Sequence, residues 1–180
     1  MAALALTDVE AACWAELWRA LEEPGHPWRL MALATVDGEA ADLRQVVLRE
    51  CRPADRVLVF FTDARSPKVR QLAQHPLGTL MVWSRALQWQ LRLRCRFEVR
   101  TTGPDVAARW ESLLEAQATG DYRSPAPPGE ALDAPAAPGM VGHFALVNAH
   151  VERLDWLELH EHGVHRRAVI DAQGARWVAP

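Results

Sequence analysis

The sequence is poor in lysine and tyrosine, and it has no long hydrophobic run. Lys68 and Tyr122 are the only representatives of their types, so arginine supplies all but one of the 20 basic side chains. No apolar stretch approaches the roughly 20 residues that a membrane-spanning helix needs. The N-terminus has no basic segment of the kind that opens a secretory signal peptide, and it carries Asp8 and Glu10 early. These absences predict a cytoplasmic protein with no membrane partner.

Cysteine is also scarce, and its spacing does not suggest a disulfide framework. Cys13, Cys51 and Cys95 are odd in number, far apart and without a Cys-x-x-Cys pair, so we expect reduced thiols. The net charge of −3 and the pI of about 6.2 argue against a nucleic-acid partner. A length of 180 residues with 49% hydrophobic side chains suits one domain, over residues 1–180, with its own core.

The helical segments of the sequence are few and short. Thr7 and Glu10 have the spacing of a capping box, and apolar residues at helical spacing follow them. Helices are predicted over residues 7–23, 66–75 and 104–117. The segment 119–140 is rich in proline and is predicted to be a loop, of a length typical of a lid or binding loop.

The remaining segments have the two-residue periodicity of β-strands. Strands are predicted over residues 28–36, 42–51, 55–62, 77–83 and 87–100, and again within the C-terminal segment 144–180. Many antiparallel strands with few helices imply a mainly β protein, of the α+β class, with a barrel or closed sheet.

The strand over residues 87–100 carries a ladder of basic side chains. Apolar residues such as Leu91 and Leu93 alternate with Arg92, Arg94 and Arg96, so one face is predicted to be core and the other charged. Such a ladder is compatible with a nucleic-acid surface or with a solvated or subunit-facing outer face. The negative net charge favours the outer face.

The single lysine lies where a phosphate could be held. A predicted strand ends at Thr62, and a short helix is predicted to begin beside Ser66 and Lys68. The N–H groups at a helix start, together with a cation, can bind a phosphate. The alternative is that Lys68 and Arg70 form an ordinary solvated helix face.

Five motifs in this order resemble the FMN-binding pyridoxamine 5′-phosphate oxidase-like family. They are Arg44-Gln45-Val46-Val47-Leu48-Arg49, then Phe60-Phe61-Thr62, then Ser66-Pro67-Lys68-Val69-Arg70-Gln71-Leu72, then Trp83 with Gln90, and finally Trp156, Arg166 and Trp177-Val178-Ala179-Pro180. The loop and tail resemble most the branch described as "related, FMN-binding". The resemblance implies a six-stranded antiparallel split β-barrel with flanking helices, forming a homodimer with FMN at its interface.

The resemblance also implies a role for each matched residue. Arg44, Ser66 and Lys68 correspond to a clamp for the FMN phosphate, and Arg49 to a basic residue near flavin and substrate, our candidate catalytic residue. Trp156 and Arg166 correspond to residues that the partner subunit contributes. The full set of implied cofactor-binding residues is Arg44, Gln45, Val46, Val47, Arg49, Phe61, Thr62, Ser66, Lys68, Gln90, Trp156 and Arg166.

The substrate residues of the oxidases are not matched. Their C-terminal Arg-x-His falls on His162 and Val164, and their spaced Tyr, Arg and Ser are adjacent here as Tyr122-Arg123-Ser124. The turn Ser66-Pro67-Lys68 also has one cation fewer than is common in the oxidases. We therefore expect an FMN-dependent oxidoreductase that acts on an unidentified small molecule by hydride transfer at flavin N5.

Three alternatives stay open at this point. One is a pyridoxamine or pyridoxine 5′-phosphate oxidase with a diverged substrate site. Another is a flavin-binding carrier or sensor without turnover, and a third is a heme or deazaflavin binder on the same barrel. The histidines around Gly163 do not have the His-Glu-x-x-His spacing of zinc enzymes, so no metal is expected.

Overall fold

The computed structural model describes residues 4–134, 137, 139–160 and 163–180. In this part of the chain the α-helices are α1 (Leu6–Glu22), α2 (Pro67–Gln74) and α3 (Pro104–Glu115). The strands are β1 (Leu30–Asp37), β2 (Ala40–Arg52), β3 (Val57–Asp63), β4 (Leu77–Ser84), β5 (Trp89–Arg100), β6 (Phe144–Glu158), β7 (Arg166–Asp171) and β8 (Gly174–Val178). None of the helices in these ranges combines the length and the apolar character needed to cross a bilayer.

Six of the strands close into an antiparallel barrel. Their order is β3-β2-β1-β4-β5-β6, and the first half of β6 returns to pair with β3. The second half of β6 pairs with β7 instead, and β7 pairs with β8, so two strands extend the sheet beyond the barrel. The predicted six-stranded antiparallel barrel is confirmed.

The core of the barrel is built by the alternation seen in the sequence. On β5 the side chains of Leu91, Leu93 and Cys95 are fully buried, whereas those of Arg94 and Arg96 are exposed. Burying a large aliphatic side chain stabilises the fold by about 1.5–3 kcal/mol. Helix α1 packs its apolar face against this core with Val9, Cys13, Trp14, Leu17 and Ala20.

The predicted capping box is wrong. Helix α1 begins one residue earlier than predicted, at Leu6, with Ala5 at the N-cap and no side-chain hydrogen bond there. Thr7 therefore lies inside the first turn, and its hydroxyl donates to Asp8 instead. Most other bounds differ by one or two residues. Strands β1 and β3 start later than predicted because short 3₁₀ turns at Pro27–Arg29 and Pro53–Asp55 precede them.

The three cysteines are free and buried, as the sequence predicted for reduced thiols. Burial raises the pKa of the Cys51 thiol to about 12. It also raises the pKa of Cys13 and of Cys95 well above the ordinary value, with smaller contributions from nearby glutamates. Because the thiolate is the reactive form, these side chains act as small core residues.

Candidate functional site

A cleft of about 220 Å³ lies against the outer side of β2 and β3. We call it the Lys68 cleft. It brings together many residues that the sequence predicted for cofactor binding, namely Gln45, Val46, Val47, Arg49, Phe61, Thr62 and Lys68. The lining also includes three residues from the proline-rich loop and one from the end of β3, which are Asp121, Tyr122, Pro128 and Asp63.

A β-bulge aims Arg49 into this cleft. Across β2 and β3, Leu48 pairs with Phe60 and Glu50 pairs with Val59, so Arg49 is the extra residue of the bulged strand. Bulges of this kind re-aim a side chain out of the regular alternation. The Arg49 guanidinium lies over the Phe61 ring, 5.8 Å from its centroid. Nearby Glu50 pairs with Arg109 and Arg52. Arg49 interacts with the Tyr122 phenol but forms no ion pair among the described residues, so its charge can act on an anionic ligand.

Lys68 is held at the edge of the cleft by Thr62. Its Nζ donates to Thr62 Oγ1 at 3.0 Å, and the Ser66 hydroxyl lies 3.3 Å from the same oxygen. Ser66 is the N-cap of α2. Burial, followed by the positive charge of Arg44, lowers the pKa of Lys68. An ammonium group has three donors. One of them is used by Thr62, which leaves the others for an oxyanion.

Arg44, whose role in the phosphate clamp stays a prediction, lies beside Thr35, Asp42 and Gln71. It does not line the Lys68 cleft, and its guanidinium is bound to the protein itself. It donates to Thr35 Oγ1 at 2.5 Å, to Gln71 Oε1 at 2.8 Å and to the Asp42 carboxylate. From this position its charge acts on Lys68 through the electrostatic field.

Gln71 is the centre of this network. Its side chain, only 1% exposed, accepts from Thr35 at 2.6 Å and donates to Asp42 at 2.9 Å. In the sequence Gln71 stands out only as part of the α2 motif, and neither Asp42 nor Thr35 was predicted to belong to the site. The signal that could have revealed Gln71 was its helical position beside Leu72, on the buried face of α2.

Replacing Gln71 by leucine should destabilise the fold by about 1–3 kcal/mol, because partners of the buried amide would lose hydrogen bonds. Urea denaturation followed by tryptophan fluorescence measures the change. The control is Gln74→Leu at the exposed end of the same helix, which should change stability by no more than about 0.5 kcal/mol. Equal losses in the two variants would contradict the network.

The proline-rich loop forms one wall of the Lys68 cleft. Arg65 fastens it by donating to the carbonyl oxygens of Ser124 and Ala126, at 2.8 and 3.3 Å, while pairing with Asp63. Burial alone would raise the pKa of Asp63, but hydrogen bonds from Arg65 outweigh it and lower that pKa. At Tyr122 burial prevails over the nearby Arg49 charge and raises the phenol pKa. The start of the loop is thus a packed wall, and its predicted closure as a lid stays a prediction.

Five of the predicted residues do not line the Lys68 cleft, namely Arg44 and Ser66, described above, and Gln90, Arg166 and Trp156. Gln90 is half-buried on β5 opposite Trp83. Arg166 pairs with Glu158 and donates to the Leu4 carbonyl oxygen at 2.9 Å. The hydrogen bond from Gln90 to the cofactor and the contribution of Arg166 to a site in a partner subunit stay predictions.

The contact between Trp156 and a cofactor stays a prediction, and in the single chain Trp156 lies in the core. Trp156 is fully buried, because the register of β6 places it opposite Leu91 on the inner face of the sheet. Its ring packs edge-on against Trp89 at 5.3 Å and lies near Trp177. Trp156 is therefore a core residue.

The histidines near Gly163 form local contacts. The backbone N–H of His160 donates to His165 Nδ1 at 3.1 Å, and His160 Nε2 lies 2.9 Å from Glu158. In the ranges that the structure covers, no group of three or more His, Cys, Asp or Glu side chains is arranged to hold a metal. His162, one of the histidines around Gly163, lies outside those ranges, as does Glu161.

Comparison with known proteins agrees with this geometry. Residues 11–101 match the family model described as pyridoxamine 5′-phosphate oxidase, FMN-binding domain. The chain belongs to this family. That stretch includes every strand and helix from which the barrel side of the Lys68 cleft is built, whereas the proline-rich wall lies beyond it.

Curated pyridoxine/pyridoxamine 5′-phosphate oxidases are similar to part of this chain. The pyridoxine/pyridoxamine 5′-phosphate oxidase of Thermosynechococcus vestitus is 46% identical over 70 residues, which are 38% of this chain and 32% of that protein. The oxidase of Azorhizobium caulinodans is 40% identical over 73 residues, 40% of this chain and 33% of that protein. The chain thus spans about a third of the length of the curated relatives it matches.

Solved structures show the same fold over nearly the whole chain. A pyridoxamine 5′-phosphate oxidase-related, FMN-binding protein from Nostoc punctiforme superposes with a TM-score of 0.73 and 21% identity, covering 99% of this chain and 100% of the other. PhzG from Burkholderia lata, in complex with tetrahydrophenazine-1-carboxylic acid, superposes with a TM-score of 0.71 and 15% identity, covering 97% and 92%.

The residues of the Lys68 cleft fit the cofactor of this FMN-binding family. Lys68 offers a cation with uncommitted donors, and Thr62 and Ser66 offer hydroxyls, which together suit a phosphate dianion. Val47 and the Phe61 ring offer apolar surface for a flat ring system. The donor set is therefore compatible with FMN.

Proposed function

We propose that this protein is an FMN-dependent oxidoreductase that acts on an unidentified small molecule. The observation that carries the proposal is the pair of cations in the Lys68 cleft, Arg49 over the Phe61 ring and Lys68 beside the Thr62 hydroxyl, neither of which is within ion-pair distance of a described carboxylate. In a chain whose arginines are mostly ion-paired, these two are placed for an anionic ligand. The FMN-binding family assignment supplies the identity of that ligand.

Each part of the cleft has a defined task in this proposal. Lys68, oriented by Thr62, holds the phosphate of FMN, and the network around Arg44 adds positive field behind it. Phe61 and Val47 cover the ring system. Arg49, lying over Phe61, polarises the flavin or holds an anionic substrate beside it. When bound, FMN supplies hydride transfer at N5, and the protein supplies position and electrostatics.

The substrate in this proposal differs from pyridoxamine 5′-phosphate. Of the adjacent Tyr122, Arg123 and Ser124, only Tyr122 lines the cleft. Arg123 lies over the Trp110 ring at 5.8 Å, and the Ser124 hydroxyl donates to the Ala126 carbonyl oxygen at 2.8 Å. Two of the three side chains are thereby engaged elsewhere, which supports a rebuilt substrate pocket.

The homodimer is part of the proposal and is supported by an apolar outer face next to the cleft. Leu30, Leu43 and Trp83, on β1, β2 and β4, are 55%, 67% and 38% exposed. Gln45 borders both this face and the Lys68 cleft. Adjacent exposed apolar side chains of this kind mark interaction surfaces, and a second copy seated here would approach the cofactor.

The second candidate function is oxidation of pyridoxamine or pyridoxine 5′-phosphate with a diverged substrate site. It is favoured by the 46% identity to such an oxidase over 70 residues.

The first experiment is a visible absorption spectrum of the purified protein before and after addition of FMN, together with its mass in solution. We expect a flavin doublet that stays with a dimer after gel filtration, and no peroxide release with pyridoxamine 5′-phosphate. Turnover of that substrate would establish the second candidate. A Soret band, or a colourless protein that takes up no FMN, would reject both.

An Arg49→Gln variant tests the catalytic assignment. The variant should bind FMN with the same absorption spectrum as the parent protein. After photoreduction, its flavin should be reoxidised by small-molecule acceptors at a rate different from that of the parent protein. Unchanged kinetics with every acceptor that the parent protein uses would remove Arg49 from the reaction.

A further inference from the structure

A second cleft of about 220 Å³ lies on the outer face of the sheet, away from the Lys68 cleft. It is lined by Thr79, Arg92, Arg94, Arg153, Asp155 and Arg167, which come from β4, β5, β6 and β7. We call it the arginine cleft. It shares no lining residue with the Lys68 cleft. We propose that the arginine cleft is a binding site for a phosphate-bearing small molecule.

The first argument is the charge balance of the lining. Four guanidinium groups surround a single carboxylate, that of Asp155, although the whole chain has a net charge of −3. Asp155 accepts from Arg92 at 2.6 Å and from Arg167 at 2.8 and 2.9 Å. These hydrogen bonds outweigh the effect of burial and lower the pKa of Asp155. Its carboxylate is therefore fully used, and the cleft keeps an excess of positive charge.

The second argument is the strand register. Thr79 pairs with Arg94, and Arg94 pairs with Arg153, so a hydroxyl and two guanidinium groups lie in one row across β4, β5 and β6. Like charges directly opposite each other on neighbouring strands are destabilising. An oxyanion between Arg94 and Arg153 turns this repulsion into two favourable contacts, since each guanidinium can donate two parallel hydrogen bonds.

The third argument is a contrast on the same strand. Arg96 is two residues beyond Arg94 on the same face of β5, and Glu152 neutralises it at 3.0 Å. Glu152 is the extra residue at the bulge of β6, where the register shifts after Arg94. The bulge thus provides a carboxylate for Arg96 and none for Arg94 and Arg153. Within the ladder Arg92 pairs with Asp155 and Arg96 with Glu152, whereas Arg94 forms no ion pair with any residue that the structure describes.

The ligand class follows from the shape and donors of the cleft. Guanidinium groups approach from β5, β6 and β7, and a hydroxyl approaches from β4, so donors converge from several sides on a compact space. A tetrahedral phosphate presents acceptor oxygens in all these directions, whereas a carboxylate presents two in one plane.

The test is calorimetric titration of inorganic phosphate and pyrophosphate into the FMN-loaded protein at low chloride concentration. The double variant Arg94→Gln/Arg153→Gln should weaken binding at least tenfold. The matched control Arg96→Gln should bind as the parent protein does. Thermal melting should show the double variant to be at least as stable as the parent, since the substitution removes a repulsion, so a folding defect would be visible separately.

Several outcomes would overturn the proposal. Equal anion binding by the parent and the double variant would remove these arginines from any site. Loss of FMN by the double variant would place the cluster in the cofactor site, and loss of the dimer mass would make it a subunit contact. A short oligonucleotide that binds more tightly than pyrophosphate would make it a nucleic-acid surface. A double variant that keeps FMN and the dimer but loses phosphate binding would support the proposal. If the arginine cleft binds no phosphate, the proposed binding of FMN in the Lys68 cleft is unaffected.

Discussion

Lys68→Ala is expected to weaken FMN binding by about 1–3 kcal/mol, which is a loss in affinity of about 5- to 150-fold. Lys68 is the cation that lines the cleft closest to the hydroxyls of Thr62 and Ser66, and its other donors are uncommitted. Alanine would remove the charged hydrogen bond that we propose between Lys68 and the phosphate, without opening the core. Quenching of flavin fluorescence during titration of the apoprotein measures the affinity.

The matched control is Arg70→Ala, which removes a cation from the exposed side of the same helix α2. It should leave the affinity for FMN within about twofold, since an exposed charge at this distance is largely screened. Riboflavin, which lacks the phosphate, should bind the parent protein and Lys68→Ala equally. If Lys68→Ala binds FMN as tightly as the parent, the phosphate is held elsewhere.

Arg44→Ala has a different expected signature. Its guanidinium is bonded to Thr35, Asp42 and Gln71, so its removal leaves buried partners unsatisfied. We therefore expect a stability loss together with the weaker FMN binding, whereas Lys68→Ala should affect binding alone. The two variants thus separate a residue that binds the cofactor directly from one that acts through its field.

Trp156→Ala is expected to destabilise the fold by about 3–5 kcal/mol, the range for large aromatic side chains removed from a core. The indole is fully buried between Trp89 and Trp177, under α1. The expected result is a lower urea midpoint in an equilibrium unfolding experiment. Trp177→Ala, at a position that is 46% exposed, should cost clearly less.

Trp156→Phe decides between a core and a cofactor role. Phenylalanine keeps most of the buried apolar surface, so the folded protein should retain its affinity for FMN. A tenfold loss of FMN affinity in a stable Trp156→Phe protein would restore the predicted cofactor contact and imply that this region rearranges in the dimer.

Much of the barrel could be predicted from local patterns. The alternation of Leu91, Leu93 and Cys95 with arginines already defines a strand with one buried face, because successive side chains point to opposite faces. The first and last residues of the helices and strands were harder to predict. The capping box at Thr7 was wrong because α1 starts at Leu6, and no local signal distinguishes these two starts.

The candidate site was predicted in part, for a related reason. Phe61, Thr62 and Lys68 are close in sequence. Because β3 is followed directly by the short helix α2, these three residues lie close together in space as well. Arg44 and Gln71 are 27 residues apart and meet only through packing of α2 against β1 and β2. The resemblance predicted a phosphate clamp that includes Arg44. In the structure the Arg44 guanidinium donates to Thr35, Asp42 and Gln71.

The sequence by itself determined the family, the β-rich architecture and the cations available for a cofactor, because these depend on composition, periodicity and short motifs. Only the tertiary structure shows where the side chains of Arg49, Trp156, Arg94 and Arg153 lie. A one-residue bulge aims Arg49 into the Lys68 cleft, and strand register buries Trp156. The same register sets Arg94 opposite Arg153, 59 residues further along the chain. Register and bulges depend on how distant strands pair, which no local pattern encodes.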